Sequence, residues 1–163
     1  MKRLLFAFTA GTLLLTVGEA GAQSDLLEIY KERRQLMYDM QSALWPMFDI
    51  KNEKSTDLDA AARSAGAMSA AMTKALMLFP VGTAKGDIPY TRAKPEIWSD
   101  AVGFETAAKA LNEAAASMKA AADAGDIDAF KAQFGGLIEA CTGCHDLKPS
   151  GGGKYRFPLG SAS

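Results

Sequence analysis

Residues 127–145 read IDAFKAQFGGLIEACTGCH, and this stretch predicts both a helix and the chemistry at its end. Its apolar side chains recur at alternating steps of three and four residues, which places them on one face of a helix. Asp126 precedes the repeat at the position of an N-terminal cap. The repeat ends in Cys141, Cys144 and His145, the only two cysteines and the only histidine of the chain. We therefore expect one helix to carry all three groups at its C-terminal end.

Three earlier segments show the same helical spacing of apolar residues. They run from Leu26 to Met47, from Leu58 to Phe79 and from Ile97 to Ala122. Pro46 should bend or end the first helix, Pro80 should stop the second, and Gly125 should close the third. No segment alternates with period two over a useful length, so we expect an all-α domain. The connections between the segments suit an antiparallel four-helix bundle.

The composition of the chain narrows the classes of function. Its 163 residues, 48% hydrophobic and 23% charged, fit one compact domain. Because 18 Lys and Arg residues balance 19 Asp and Glu residues, no basic surface favours nucleic acid as a partner. The single histidine belongs to the cysteine cluster and the acidic residues are scattered along helix surfaces, so we expect no enzyme.

The N-terminus has the three parts of a secretory signal peptide. Lys2 and Arg3 are basic, residues 4–18 form an apolar run that is short for a membrane span, and Ala20-Gly21-Ala22 offers a cleavage site. We expect cleavage after Ala22 (signal peptide 1–22), export to the periplasm and no membrane contact afterwards; the alternative is an uncleaved anchor. The mature chain then divides into a bundle, residues 23–148, and a flexible Gly-rich tail, residues 149–163.

Cys141-Thr142-Gly143-Cys144-His145 has the C-x-x-C-H spacing at which c-type haem is attached. Residues three and four apart share one side of a helix, so each thiol can add to a haem vinyl group while the imidazole ligates the iron. Two alternatives fit this chain poorly. A thioredoxin-like redox pair normally lies beside a βαβ pattern, which is absent here, and a zinc site needs four ligands, whereas the chain has no second Cys or His pair. We therefore expect one covalent haem c, held by Cys141 and Cys144, with His145 as axial ligand.

An exported four-helix domain with C-x-x-C-H on its last helix resembles the cytochrome c′ family, the class II c-type cytochromes. Residues 94–100, KPEIWSD, resemble the segment that opens the third helix in that family, and residues 123–126, DAGD, followed by residues 134–136, FGG, resemble its C-terminal half. The family usually carries a Tyr-Arg pair just after the histidine, whereas here Tyr155-Arg156 follows an apparent insertion. The resemblance implies a haem between helices near one end of the bundle, with a distal face from the first helix.

The same resemblance implies a distal side built around Arg33, Met37 and Met40. The family places a basic residue four positions before the distal residue and often a methionine three positions after it. A second register would put Tyr38 at the distal position, but Tyr38 lies off the apolar stripe. A methionine sixth ligand is the pattern of the low-spin cytochrome c556 branch. We expect Met37 as that ligand, with Met40 as its competitor.

Arg33 and Trp98 are candidate haem contacts. Arg33 lies on the apolar stripe, where an unpaired guanidinium is costly, so it should pair with a haem propionate or extend to Glu28 or Glu32. Trp98 contacts the haem if the family resemblance extends to it, and otherwise anchors the end of the bundle.

These residues lead to two functional hypotheses. The first is a periplasmic electron carrier that exchanges single electrons with redox partner proteins, with His145 and Met37 as axial ligands. The alternative is a five-coordinate, high-spin haem protein that binds or senses nitric oxide or carbon monoxide through an open distal side. The sequence leaves the oligomeric state open between monomer and homodimer.

Overall fold

The computed structural model describes residues 17–148 and 150–160, which form helices joined by turns. The helices are α1 (Val17–Lys51), α2 (Leu58–Leu76), α3 (Glu96–Ser99), α4 (Ala101–Asp123) and α5 (Ile127–Cys144). The four long helices form a bundle in which α2 packs against α1 and α4, and α4 packs against α5. Only isolated bridges, and no strands, occur in these two ranges. The prediction of an all-α four-helix fold is confirmed.

Alanine and methionine dominate the core of the bundle. Met47, Met68 and Met118 are fully buried beside Phe130 and Leu137. Small alanines on α2 and α4 allow these two helices to approach closely, and unbranched methionines fill the remaining irregular space. In the described part of the chain, no helix has both the length and the apolar character that a membrane crossing requires.

The first helix does not end at Pro46. It continues to Lys51, and Met47 and Ile50, which follow the proline, have no exposed surface. A proline removes one backbone hydrogen bond of a helix, and the burial of two large apolar side chains offsets that loss here.

The segment predicted as a single third helix is divided into α3 and α4 by Asp100. Its backbone leaves the helical region, with φ −121° and ψ 52°, and its carboxylate accepts a hydrogen bond from the backbone N–H of Gly103 at 3.1 Å. Asp57 and Asp126 cap α2 and α5 through the same contact with the residue three positions on. Apolar periodicity continues across Asp100, so the sequence pattern alone does not reveal this break.

The prediction of a flexible C-terminal tail is wrong for residues 150–160, which we call the C-terminal strap. The side chain of Tyr155 is 3% exposed, and its hydroxyl donates to Asp100 at 3.0 Å. Backbone hydrogen bonds join the N–H of Tyr155 to the carbonyl of Cys144 and the N–H of Phe157 to that of Arg92. A buried tyrosine and these long-range bonds hold the strap against the end of α5 despite its glycines.

The predicted signal peptide is only partly covered by the structure. Residues 1–16 lie outside the described residues, and cleavage after Ala22 stays a prediction.

Candidate functional site

A cavity of about 440 Å³ lies between the helices beside the C-terminal end of α5. Cys141, Cys144 and His145 line it. Apolar side chains from α1 and α2 line it as well, namely those of Met37, Met40, Leu44, Met68 and Met72. The C-x-x-C-H residues therefore line the same cavity as Met37 and Met40, the two methionines of α1 that the sequence predicts on the distal side.

His145 is the first residue beyond α5, rather than part of it. Its backbone is extended, with φ −163° and ψ 154°, and its N–H still bonds to the carbonyl of Cys141. The ring Nδ1 lies 2.9 Å from the carbonyl oxygen of Asp146. Because a carbonyl only accepts, Nδ1 carries the proton and Nε2 keeps its lone pair. The ring is thus prepared to ligate a metal ion through Nε2, with Asp146 fixing its tautomer.

Burial sets the protonation states of all three motif residues. It raises the pKa of the Cys141 thiol to about 11 and also raises the pKa of Cys144, while it lowers the pKa of His145. At neutral pH the protein therefore presents two protonated, unpaired thiols and a neutral imidazole. This donor set fits haem c, since two thiols can form thioether links and one neutral imidazole can ligate the iron.

Both methionines proposed for the distal side line the cavity. Met40 is 7% exposed and belongs to the core, whereas Met37 is half-buried and packs against that core. Tyr38 also reaches the cavity lining, but 46% of it is exposed. Ligation of a metal by Met37 stays a prediction.

Arg33 is buried, and its hydrogen bonds go to the segment that follows α2. Its Nη1 donates to the carbonyl of Leu78 and the hydroxyl of Thr83, each at 3.1 Å. Its Nη2 donates to the carbonyl of Thr83 at 3.3 Å and the hydroxyl of Thr91 at 3.1 Å. The guanidinium also stacks over Phe79, at 4.3 Å from the ring centroid. Arg33 thus does not extend to Glu28 or Glu32, and both terminal nitrogens are already occupied.

Trp98 lies behind the cavity wall. It is absent from the lining residues, and its indole N–H donates to the carbonyl of Phe79 at 2.9 Å. Phe79 itself lines the cavity and meets Phe104 edge to face. This position matches the anchoring role that was the alternative to direct haem contact.

Sequence reasoning missed Arg92, which lines the cavity together with Arg156 of the strap. Arg92 lies in an irregular connection with no periodic pattern, so no signal in the sequence singles it out. Arg156 does return to the cavity, because the strap folds back along residues 92–94.

Three glycines of the strap, at positions 151–153, are packed, and Gly153 lies against the backbone of the C-x-x-C-H motif. A Cβ atom at Gly153 would lie 2.4 Å from the Cα of His145 and 2.7 Å from the carbonyl oxygen of Cys144, both backbone atoms that cannot turn aside. We expect Gly153→Ala to lower the free energy of unfolding of the haem-loaded protein by about 1–3 kcal/mol, the usual cost of overpacking. Denaturant titration measures this.

Gly143 provides the matched control, because it lies inside the C-x-x-C-H motif on α5 and a Cβ there meets nothing within 4 Å. Gly143→Ala should leave stability unchanged or raise it slightly, since alanine is the better helix former. Equal stabilities of the two variants would contradict the packed position of the strap.

The helical bundle, the two free thiols and the oriented imidazole together define a c-type haem protein. The family model for cytochrome c′ matches residues 28–147. A cytochrome c′ from Rhodopseudomonas palustris is 31% identical over 145 residues, which are 88% of this chain and 94% of that protein. The chain belongs to the cytochrome c′ family.

Other relatives agree with this assignment. A cytochrome c′ from Alcaligenes xylosoxydans is 44% identical over 68 residues, which cover 42% of this chain and only half of that protein. Two solved structures of variants of cytochrome c prime from Alcaligenes xylosoxidans, one a nitric oxide complex and one with carbon monoxide bound, superimpose with a TM-score of 0.67 at 27% identity. Each comparison covers 80% of this chain, with 94% and 95% of the solved chains.

Proposed function

We propose that this protein carries one haem c, linked to Cys141 and Cys144 and ligated by His145, and that it binds nitric oxide or carbon monoxide at the iron. The observation that carries the proposal is the cavity of about 440 Å³ that the C-x-x-C-H residues share with an apolar wall from α1 and α2. The haem supplies an iron centre that binds diatomic gases and changes its oxidation state.

The apolar part of the cavity lining, from α1 and α2, favours a small uncharged ligand. Met37, Met40, Leu44, Met68 and Met72 line the cavity with thioether and alkyl groups. These five side chains offer no N–H or O–H donor to a ligand, and the donors of the cavity belong to other lining residues, Arg92 and Arg156 among them. His145 completes the site, since its Nε2 is free and its Nδ1 is held by the carbonyl of Asp146.

The comparisons add support for this reading over electron transfer. The similar solved structures of a cytochrome c prime hold nitric oxide in one case and carbon monoxide in another. The family membership supports covalent haem, and the signal-peptide pattern of residues 1–22 supports a periplasmic location. We propose a binding protein and not an enzyme, without nucleic-acid or membrane partners, and leave open a homodimer.

The second candidate is a low-spin electron carrier of the cytochrome c556 type. One observation favours it, which is that the half-buried thioether of Met37 lines the same cavity as His145. Ligation by His145 and Met37 would saturate the iron and suit electron exchange with redox partner proteins.

Met37→Leu separates the two candidates, because leucine keeps nearly the same volume and removes only the sulfur. We expect a high-spin wild-type spectrum and the same spin state in the variant, with carbon monoxide binding retained in both. Absorption spectra of the ferric and ferrous proteins measure this. Met40→Leu is the matched control, since Met40 lines the same cavity from the same helix.

A low-spin wild type that becomes high-spin only in Met37→Leu would overturn gas binding and establish the electron carrier. The same conversion only in Met40→Leu would move the sixth ligand to Met40 and would equally overturn gas binding.

A further inference from the structure

Two arginines at the cavity have buried hydrogen-bond donors that no atom of the described chain receives. They are Nη1 of Arg92 and Nε of Arg156. Both side chains line the cavity, unlike Gln133, the third residue with a buried unpaired polar atom. A buried donor without an acceptor is costly, and a charged one more so. We therefore expect a hydrogen-bond acceptor in the cavity that receives these two donors.

The strap holds these arginines next to each other. An antiparallel bridge pairs Ala93 with Arg156, and the N–H of Phe157 donates to the carbonyl of Arg92 at 2.8 Å. Nη2 of Arg156 is fixed by the carbonyls of Asp146, Lys148 and Gly151, at 2.6, 3.2 and 2.9 Å. These three bonds orient the guanidinium of Arg156 and leave its Nε for another partner.

Their charges are not balanced by a carboxylate contact. Burial and the neighbouring Arg92 lower the pKa of Arg156, and the attraction of the Asp146 carboxylate opposes them. Among the ion pairs of the described residues, none involves either arginine. Two acidic residues contact the strap, and both carboxylates have other partners. Asp100 accepts from Tyr155 and Gly103 and pairs with Lys154, and Asp146 accepts from the backbone N–H of Lys148. Among the described residues, neither of these two adjacent cations therefore forms an ion pair with a carboxylate.

We propose that Arg92 and Arg156 bind the two propionate carboxylates of the haem. This assignment rests on the haem attachment proposed above. The two arginines with unpaired donors match the two propionates in number, and a charged N–H donor forms a strong hydrogen bond with a carboxylate. Arg33, the propionate partner predicted from the sequence, already donates to four protein acceptors and is not needed for this role.

The test uses the haem-loaded protein and its reduction potential as a function of pH. Arg92→Gln and Arg156→Gln are compared with Arg34→Gln, a matched control because Arg34 lines the same cavity but is exposed. We expect both test variants to have a lower potential, because loss of a nearby positive charge disfavours uptake of an electron. Their potentials should also depend on pH between about 5 and 7, since a propionate that loses its arginine takes up a proton more readily.

Potentials that match the Arg34→Gln control, without added pH dependence, would overturn the proposal. A haemochrome assay checks covalent haem separately, so a failure of haem attachment is not confused with a failure of the propionate assignment.

A second measurement needs no variant. Wild-type protein with carbon-13 at the propionate carboxyls gives carboxylate bands in reduced-minus-oxidised infrared spectra. Ionised carboxylates at about pH 5 support binding by the two arginines, and a protonated carboxyl band there overturns it.

Discussion

Replacing Cys141 and Cys144 together by serine is expected to release all of the haem into acid acetone, whereas the wild-type protein keeps its haem in the precipitate. The two thiols are the only cysteines of the chain, both line the cavity, and burial keeps both protonated until they react. Serine is close in size but forms no thioether link. The measurement is the haem absorbance of the acetone phase and of the precipitate.

Thr142→Ser is the control for this experiment, because Thr142 lies between the cysteines but is exposed. It should retain its haem fully. Each single cysteine variant should keep one thioether link and show an altered haemochrome spectrum, since one vinyl group remains unreacted. Haem that leaves the wild-type protein in acid acetone would disprove covalent attachment.

The sequence was sufficient for those features that depend on local pattern. Apolar residues at helical spacing located the long helices, and Asp126 was correctly expected to cap α5. The C-x-x-C-H motif predicted three residues that now line one cavity, because they are close in the covalent chain, although His145 lies beyond the end of α5 rather than on it. Family resemblance then selected Met37 and Met40 on α1, and both line the same cavity as the motif residues.

The features that sequence reasoning missed depend on contacts between distant residues. Glycines at 151–153 indicated flexibility, yet a Cβ atom at any of the three would meet another atom at 2.8 Å or less. The buried side chain of Tyr155 fixes this segment through Asp100, a residue 55 positions away. No short window of sequence contains both partners, so composition alone suggested a flexible tail.

Arg33 shows the same limit for a single residue. The sequence correctly indicated that a guanidinium on the apolar stripe needs partners, but it offered only a propionate and nearby glutamates. The actual acceptors belong to Leu78, Thr83 and Thr91, in an irregular segment that the helical pattern does not position. A buried charge needs hydrogen-bond partners wherever it lies, so the sequence predicts that partners exist. Which residues they are depends on the tertiary structure.

Arg33→Met is expected to lower the free energy of unfolding of the haem-loaded protein by about 3–5 kcal/mol, because four charged hydrogen bonds are lost and the partly buried carbonyl of Leu78 loses its donor. Burial lowers the pKa of Arg33 to about 10, so the side chain stays charged at neutral pH. Its four bonds hold the segment from Leu78 to Thr91 against α1. Methionine keeps the length and the apolar stem, so the change isolates the guanidinium.

Arg34→Met is the matched control, since Arg34 is the next residue of α1 and its side chain is exposed, with a hydrogen bond to the hydroxyl of Tyr38. Denaturant unfolding should show little change in this control and a large loss in Arg33→Met. The reduction potential provides an independent readout. Because the acceptors of Arg33 are protein atoms, its removal should change stability far more than it changes the pH dependence of the potential. A small loss of stability together with a strongly pH-dependent potential would instead assign Arg33 to a propionate.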